Sequence, residues 1–277
     1  MRAQRKSDIR QAEKFFMDAL TLSSTIEDNP DKIIALVNLA RLNRSSGNIE
    51  ASKRYVDQAL QTSVFYPEFT SEVTYEKALL EIVLYNHNEA LKWASRSLDA
   101  ENGASKGIRL NLLARIQIIN GNIDTALKTA NLALQENRNN YLPEEEANSL
   151  RMLGDIEFES RRPDSANRHF QEALEIDKRM GVSSKIGLDL EKLAEVAKSK
   201  NDQTLNAEYL ERACSVHLAA GRRDKAAVLL QDLIQAYQKS GNASAAEKAR
   251  MTLEQLVSTT MPYTSSTSEM ANPSSKP

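Results

Sequence analysis

Leu150 to Asp177 reads LRMLGDIEFESRRPDSANRHFQEALEID. Leu150, Leu153, Gly154 and Phe158 recur at spacings of three and four, as do Ala166, Phe170, Ala173 and Leu174, so each set forms one face of an amphipathic helix. Arg161, Arg162 and Pro163 break the periodicity and mark a turn between the two helices.

Laid over the rest of the chain, this hairpin finds imperfect copies of itself. The small residue early in the second helix falls at Ala12, Ser52, Ala90, Ala126, Ala166, Asn206 and Ala246, at successive separations of 40, 38, 36, 40, 40 and 40 residues. Seven residues after each stands Ala19, Ala59, Ser97, Ala133, Ala173, Ala213 or Leu253. The first helices align at Leu39-Ala40, Lys77-Ala78, Leu113-Ala114, Leu153-Gly154, Leu193-Ala194 and Leu233-Ile234. Gly47-Asn48, Tyr85-Asn86, Gly121-Asn122, Arg161-Arg162, Asn201-Asp202 and Gly241-Asn242 fill the turns, and glycine or asparagine suits a left-handed residue that ends a helix. Helix starts follow at Asn29-Pro30, where the asparagine is placed to cap, at Pro67-Glu68 and at Pro143 with Glu144, Glu145 and Glu146. Gly103, Gly181 and Gly221 separate helices elsewhere. The copy over residues 71–99 is the most divergent, with Lys77 for leucine and Tyr85 for the turn glycine.

Leu-Gly in one helix, then alanine, a bulky aromatic and Ala-Leu in the next, resembles the tetratricopeptide repeat. That resemblance implies an all-α fold, a right-handed α-solenoid of stacked antiparallel helix pairs. The family's usual period is ~34 residues, and a spacing of mostly 40 approaches the ~40 to 47 of HEAT and armadillo repeats. The small-large-small signature fits the first family better, with extra turns lengthening helices or connections.

Composition agrees with an all-helical chain. Of 277 residues only 9 are glycine and 7 proline, too few for many tight β-turns. Lysine and arginine number 36 against 38 acidic residues, so no charge excess points to nucleic acid or an anionic membrane. No apolar run reaches the ~18 residues of a membrane span, and the basic start MRAQRKSDIRQ lacks the apolar stretch of a secretory signal. The chain as given reads as cytoplasmic. Cys214, the single cysteine, replaces a leucine of sibling repeats and reads as a small buried hydrophobe.

No catalytic motif is present: no phosphate-cradling glycine loop, HExxH, paired CxxC or nucleophile elbow. His87, His169 and His217 are scattered, and Glu144 to Glu146 read as helix-start acids. The sequence thus points away from an enzyme and implies no metal or cofactor. What the resemblance implies is a surface, since in the family the first helices line a concave face. The residues beside the packing positions there are Asn38, Arg41, Tyr75, Glu76, Asn111, Arg115, Arg151, Asp155, Phe158, Glu191, Glu195, Gln231 and Gln235. Asparagine and arginine suit a peptide backbone or carboxylate, and Tyr75 and Phe158 an apolar contact. Arg41, Arg115 and Arg151 make the middle basic and Glu191 and Glu195 the later part acidic, an order suited to a ligand with acidic then basic segments. The two-carboxylate clamp of the family's chaperone-tail binders is interrupted by Val37 and Glu76. The expected role is a scaffold for a protein or peptide partner, or alternatively a ligand-responsive sensor.

At the start, Ser7 to Leu20 matches a second helix whose first-helix partner has no room in the preceding six residues. Phe15, Phe16 and Leu20 are expected to lack a neighbour. Either an upstream segment has been removed, as in a processed, lipid-anchored periplasmic array, or another copy, domain or partner covers this end. Residues 1–256 are assigned to the array. Residues 257–277 form a tail expected to be disordered, since 13 of the 20 residues from Ser258 are serine, threonine or proline.

Overall fold

The computed structural model describes residues 2–258, with side chains from Asp8 onward. The tail from residue 259 lies outside the described residues; Val257 and Ser258 close the last helix. Among the described residues there are thirteen α-helices and no strand. They fall into two compact units, Met1–Met180 and Gly181–Pro277. The first holds α1 (Arg2–Thr25), α2 (Asn29–Ser45), α3 (Ile49–Ser63), α4 (Thr70–Val83), α5 (His87–Asp99), α6 (Lys106–Ile119), α7 (Ile123–Asn139), α8 (Pro143–Glu159) and α9 (Pro163–Met180). The second holds α10 (Ser183–Ser199), α11 (Gln203–Ala219), α12 (Arg223–Lys239) and α13 (Ala243–Ser258).

The helices pair as the periodicity predicts, α2 with α3 through to α12 with α13, with the most extensive packing inside each pair except the last, where α12 packs more on α11 than on α13. Ser52, Ala90, Ala126, Ala166, Asn206 and Ala246 are all buried, as are Ala59, Ser97, Ala133, Ala173 and Ala213. Small side chains let the partner helix approach, and large ones from the first helix fill the space beside them. Leu150, Leu153 and Ile156 of α8 meet Ala126, Ala130, Ala173 and Ile176 in one apolar cluster. Full burial of each leucine or isoleucine contributes about 1.5–3 kcal/mol. Gly154 has no room for a side chain, because a Cβ there would stand 2.4 Å from the Phe170 ring.

All six predicted turn residues are left-handed: Gly47, Tyr85, Gly121, Arg161, Asn201 and Gly241. In each turn the following residue's N–H bonds back to a carbonyl five earlier, as Asn48 does to Asn43 (2.8 Å) and Asn122 to Gln117 (2.8 Å), satisfying helix-end acceptors. The weakest copy also forms, because Lys77 is held by Asp57 (3.3 Å) and Glu81 (3.1 Å). Two helix starts differ from expectation. Asp28, not Asn29, caps α2, accepting from Asp31 N (3.1 Å), since Pro30 in the first turn draws the boundary one residue back. Pro67 opens a 3₁₀ turn, Pro67–Phe69, and α4 begins only at Thr70. No described helix is long and apolar enough to cross a membrane.

Candidate functional site

The residues expected to form a binding stripe divide into two populations. Counted from the packing position of each first helix, those two residues earlier (Tyr75, Asn111, Arg151, Glu191) turn into the array. Those two residues later (Arg41, Arg115, Glu195, Gln235) stay exposed. Gln231, though an earlier-position residue, is exposed as well, and Asp155 is half-buried. Asn38 bonds within its own helix to Ile34 O (3.0 Å), and Phe158 is half-buried.

In the Met1–Met180 unit the inward residues are consumed by neighbouring helices. Glu76, 0% exposed, takes Arg44 Nε on one carboxylate oxygen (2.6 Å). Arg41 pairs with Glu72, whose other oxygen takes Arg109 Nη2 (2.6 Å). Burial alone would raise the Glu72 carboxyl, but hydrogen bonds and charge from Arg109 and Arg41 outweigh it and hold it below the ordinary value. The Arg109 guanidinium also lies 4.4 Å from the centre of the Tyr75 ring. Asn111 donates to Glu145 Oε2 (3.2 Å) and accepts from Ser149 Oγ (2.7 Å). Arg151 pairs with the fully buried Asp177 and donates to Asn148 Oδ1 (2.6 Å). Glu76, Asn111 and Arg151 therefore sit in inter-helix bonds, a correction to the picture of them as freely presented groups. Long polar side chains beside a helix crossing are close enough to find partners on the next helix. The structure does not bring Arg41, Arg115 and Arg151 together as a basic strip, since Arg151 is spent on Asp177.

A second polar column escaped the sequence reading. Ser63, Glu101, Asn137, Asp177 and His217 stand four residues after the packing Ala59, Ser97, Ala133, Ala173 and Ala213, in or just after the last turn of a second helix. Asn137 and Asp177 are fully buried and His217 nearly so. Small residues on the paired first helix make room for them: a Cβ at Gly107 would meet Asn137 Oδ1 at 2.1 Å, and one at Gly187 would meet His217 Nε2 at 2.7 Å. A polar column at the 40-residue period, Asn137, Asp177, His217, was the available signal.

In the Gly181–Pro277 unit the same face opens into a cleft of about 190 Å³ between α10, α11 and α12. One wall is Glu191, held by His217 Nε2 (2.8 Å) and Lys225 Nζ (2.8 Å). Arg222 Nε donates to His217 Nδ1 (2.7 Å), so Nδ1 is the acceptor and the imidazole proton lies on Nε2, toward Glu191. Ala194, Leu210, Leu229 and Ala236 give an apolar floor, and Glu195, Lys198, Asp232 and Lys239 a rim of mixed charge. Asn206 lines the cleft although it stands in the packing column that is alanine or serine in every other copy. It is 4% exposed, and its bond is a long one, 3.5 Å, to Gln203 Oε1. Of the expected stripe, Glu191, Glu195 and Gln235 meet here. Cys214 is buried as expected, and burial with the nearby Glu191 and Glu211 pushes its thiol up to about 12. Among the described residues no cluster of metal-ligating side chains occurs.

A tetratricopeptide-repeat model matches residues 108–179. None of the curated proteins matches the sequence. Solved structures share the fold at low identity. BtubC from P. vanneervenii has a TM-score of 0.67 at 19% identity, over 83% of this chain and 94% of that one. A signal-transduction ATPase with numerous domains and a tetratricopeptide-repeat sensor, from Pyrococcus horikoshii, has a TM-score of 0.75 at 21% identity; 91% of this chain spans 38% of that one. A Rap protein complexed with Competence and Sporulation Factor has a TM-score of 0.64 at 14% identity, over 91% of this chain and 72% of that one. Sequence and fold agree that residues 108–179 belong to the tetratricopeptide repeat family, and the described helices before and after them carry the same two-helix fold.

Proposed function

We propose that the chain is a non-catalytic interaction module that holds an extended peptide, or an exposed segment of a partner protein, on its first-helix face. The observation that carries this reading is the cleft of α10 to α12 with Asn206 in it. A buried amide in a column of alanines costs free energy unless something bonds to it. Its neighbours Gln203 and Gln235 are also primary amides, each offering a donor and an acceptor, the chemistry a peptide backbone needs. The apolar floor has room for one side chain, and the mixed rim charges suit a segment carrying both signs. Within the other unit, Arg41 and Arg115 are exposed as well.

The test is selection of peptides from a random display library on the full chain, followed by titration against Asn206→Ala, Gln235→Ala and Glu195→Lys. Selected peptides should lose about tenfold or more in affinity to the Asn206 variant, consistent with one or two lost hydrogen bonds. A library that yields no binder, or binders indifferent to all three substitutions, would overturn the reading. The alternative of a ligand-responsive regulator draws support from two structural neighbours, one a repeat sensor and one a complex with a sporulation factor. It predicts a change in X-ray scattering radius on adding the selected peptide, which a passive scaffold does not show.

A further inference from the structure

The charges on the rim of the α10–α12 cleft are sorted by sign. On α10, Glu191, Glu195 and Lys198 follow one another at spacings of four and three and share a helix face. On α12, Lys225, Asp232 and Lys239 recur every seven residues and share a face too. Glu191 and Lys225 pair with each other (2.8 Å) and close one end of the cleft. Beyond them Glu195, Lys198, Asp232 and Lys239 are all exposed. Lys198, Asp232 and Lys239 make no ion pair with any described side chain, and Glu195 meets Lys192 of its own helix at 3.4 Å. The turns at residues 200–202 and 220–222 reverse the chain twice, so α10 and α12 run the same way. Past the closed end, each wall therefore carries a carboxylate first and an ammonium after it. The ammonium end is also where α11 begins, with Lys239 beside Gln203, and the positive pole of that helix adds to the pull on an anion.

We infer that the cleft, resting on its role as the peptide site proposed above, recognises an extended segment with a basic and an acidic side chain two residues apart. The cation lies against Glu195 and Asp232, and the anion against Lys198 and Lys239. Lys198 follows Glu195 by three residues and Lys239 follows Asp232 by seven, which is about 5 and 10 Å along the helix axes. Side chains i and i+2 of an extended chain share a face about 7 Å apart, inside that interval; i+1 points away, and i+4, at about 13 Å, overshoots it. Asn206, buried between the walls, is left with Gln203 and Gln235 to meet the backbone. A segment of one charge sign would set like charges together at one end of the cleft, a mismatch that selects against it.

Random peptide display on the full chain tests this, with enriched peptides resynthesised in acetylated and amidated form so that only side chains carry charge. Enriched peptides should share a lysine or arginine and an aspartate or glutamate two positions apart. Against Lys198→Glu combined with Lys239→Glu, such a peptide should lose roughly fivefold or more in affinity and regain it when its acidic residue is replaced by lysine. Glu195→Lys combined with Asp232→Lys should require the opposite replacement, of the basic residue by glutamate. All four positions are exposed, so circular dichroism and melting of both variants should match the native chain. Peptides that depend on Asn206 but lack the charge pair, or ignore both reversals, overturn this inference and leave the peptide site standing. A library without binders overturns both. Binding that vanishes when the termini are blocked assigns the charges to a chain end and overturns the side-chain pair.

Discussion

One face of the first helices is filled in the Met1–Met180 unit and open in the other. From α2 to α8, polar side chains reach across to the next helix: Arg44 to Glu76, Arg109 to Glu72, Asn111 to Glu145, Arg151 to Asp177. Between α10 and α12 the equivalent Glu191 is held at a wall, and a cleft remains in front of Asn206. Position in the repeat alone does not say whether a polar residue binds outward or braces inward. What decides is whether the neighbouring helix offers a partner within reach.

If polar groups of the filled face brace and those of the open face bind, substitutions should split accordingly. The largest effect is expected from Arg151→Met, which leaves Asp177 buried without its cation; a loss of about 3–5 kcal/mol should appear in urea unfolding, with much of it recovered by adding Asp177→Leu. Gly154→Leu should cost about 1–3 kcal/mol, because the new side chain enters the Phe170 ring. Asn206→Ala should leave stability unchanged or raise it by up to ~1 kcal/mol while weakening peptide binding about tenfold or more, since it removes a buried amide with one long bond. A large destabilisation there would place the open face among the braces and erase the contrast.

Acid should expose the bracing separately. Glu72 has a depressed carboxyl in the folded chain, so its contribution is present above the ordinary value of 4.5 and is lost as pH falls through the folded value. The melting temperatures of the native chain and Glu72→Gln should therefore differ at neutral pH and converge in acid. Smallest of all, Cys214 should resist iodoacetamide at pH 8 in the folded chain and react once unfolded, because its thiol is raised to about 12.

The fold was legible because it rests on short-range rules. Three-four spacing gives helices, small residues mark crossings, and a left-handed residue ends each first helix; all three leave a mark within a few residues and then repeat it. Tyr85 and Arg161 adopt the left-handed turn without being glycine or asparagine, and only the register revealed them. The site was less legible because its fate depends on pairs from different helices. Nothing near Arg151 announces Asp177, 26 residues later, as its partner, and Arg109 drew no attention although it bonds Glu72 and covers Tyr75. The cleft depends on what is missing opposite a residue, which a sequence does not state.

The buried polar contacts have a consequence for how such a chain avoids tangling with itself. Helices built on one apolar template are interchangeable to the hydrophobic effect, so a first helix could dock one repeat too early or too late. Each junction instead carries its own chemistry: arginine on glutamate at α2 and α4, an arginine of α6 on a serine of α4 and on Glu101 just past α5, asparagine on serine at α7 and α8. A helix docked at the wrong junction would bury Glu76 or Arg109 without a counterion, costing several kcal/mol. The polar groups act as addresses, and the order of the repeats is written in them.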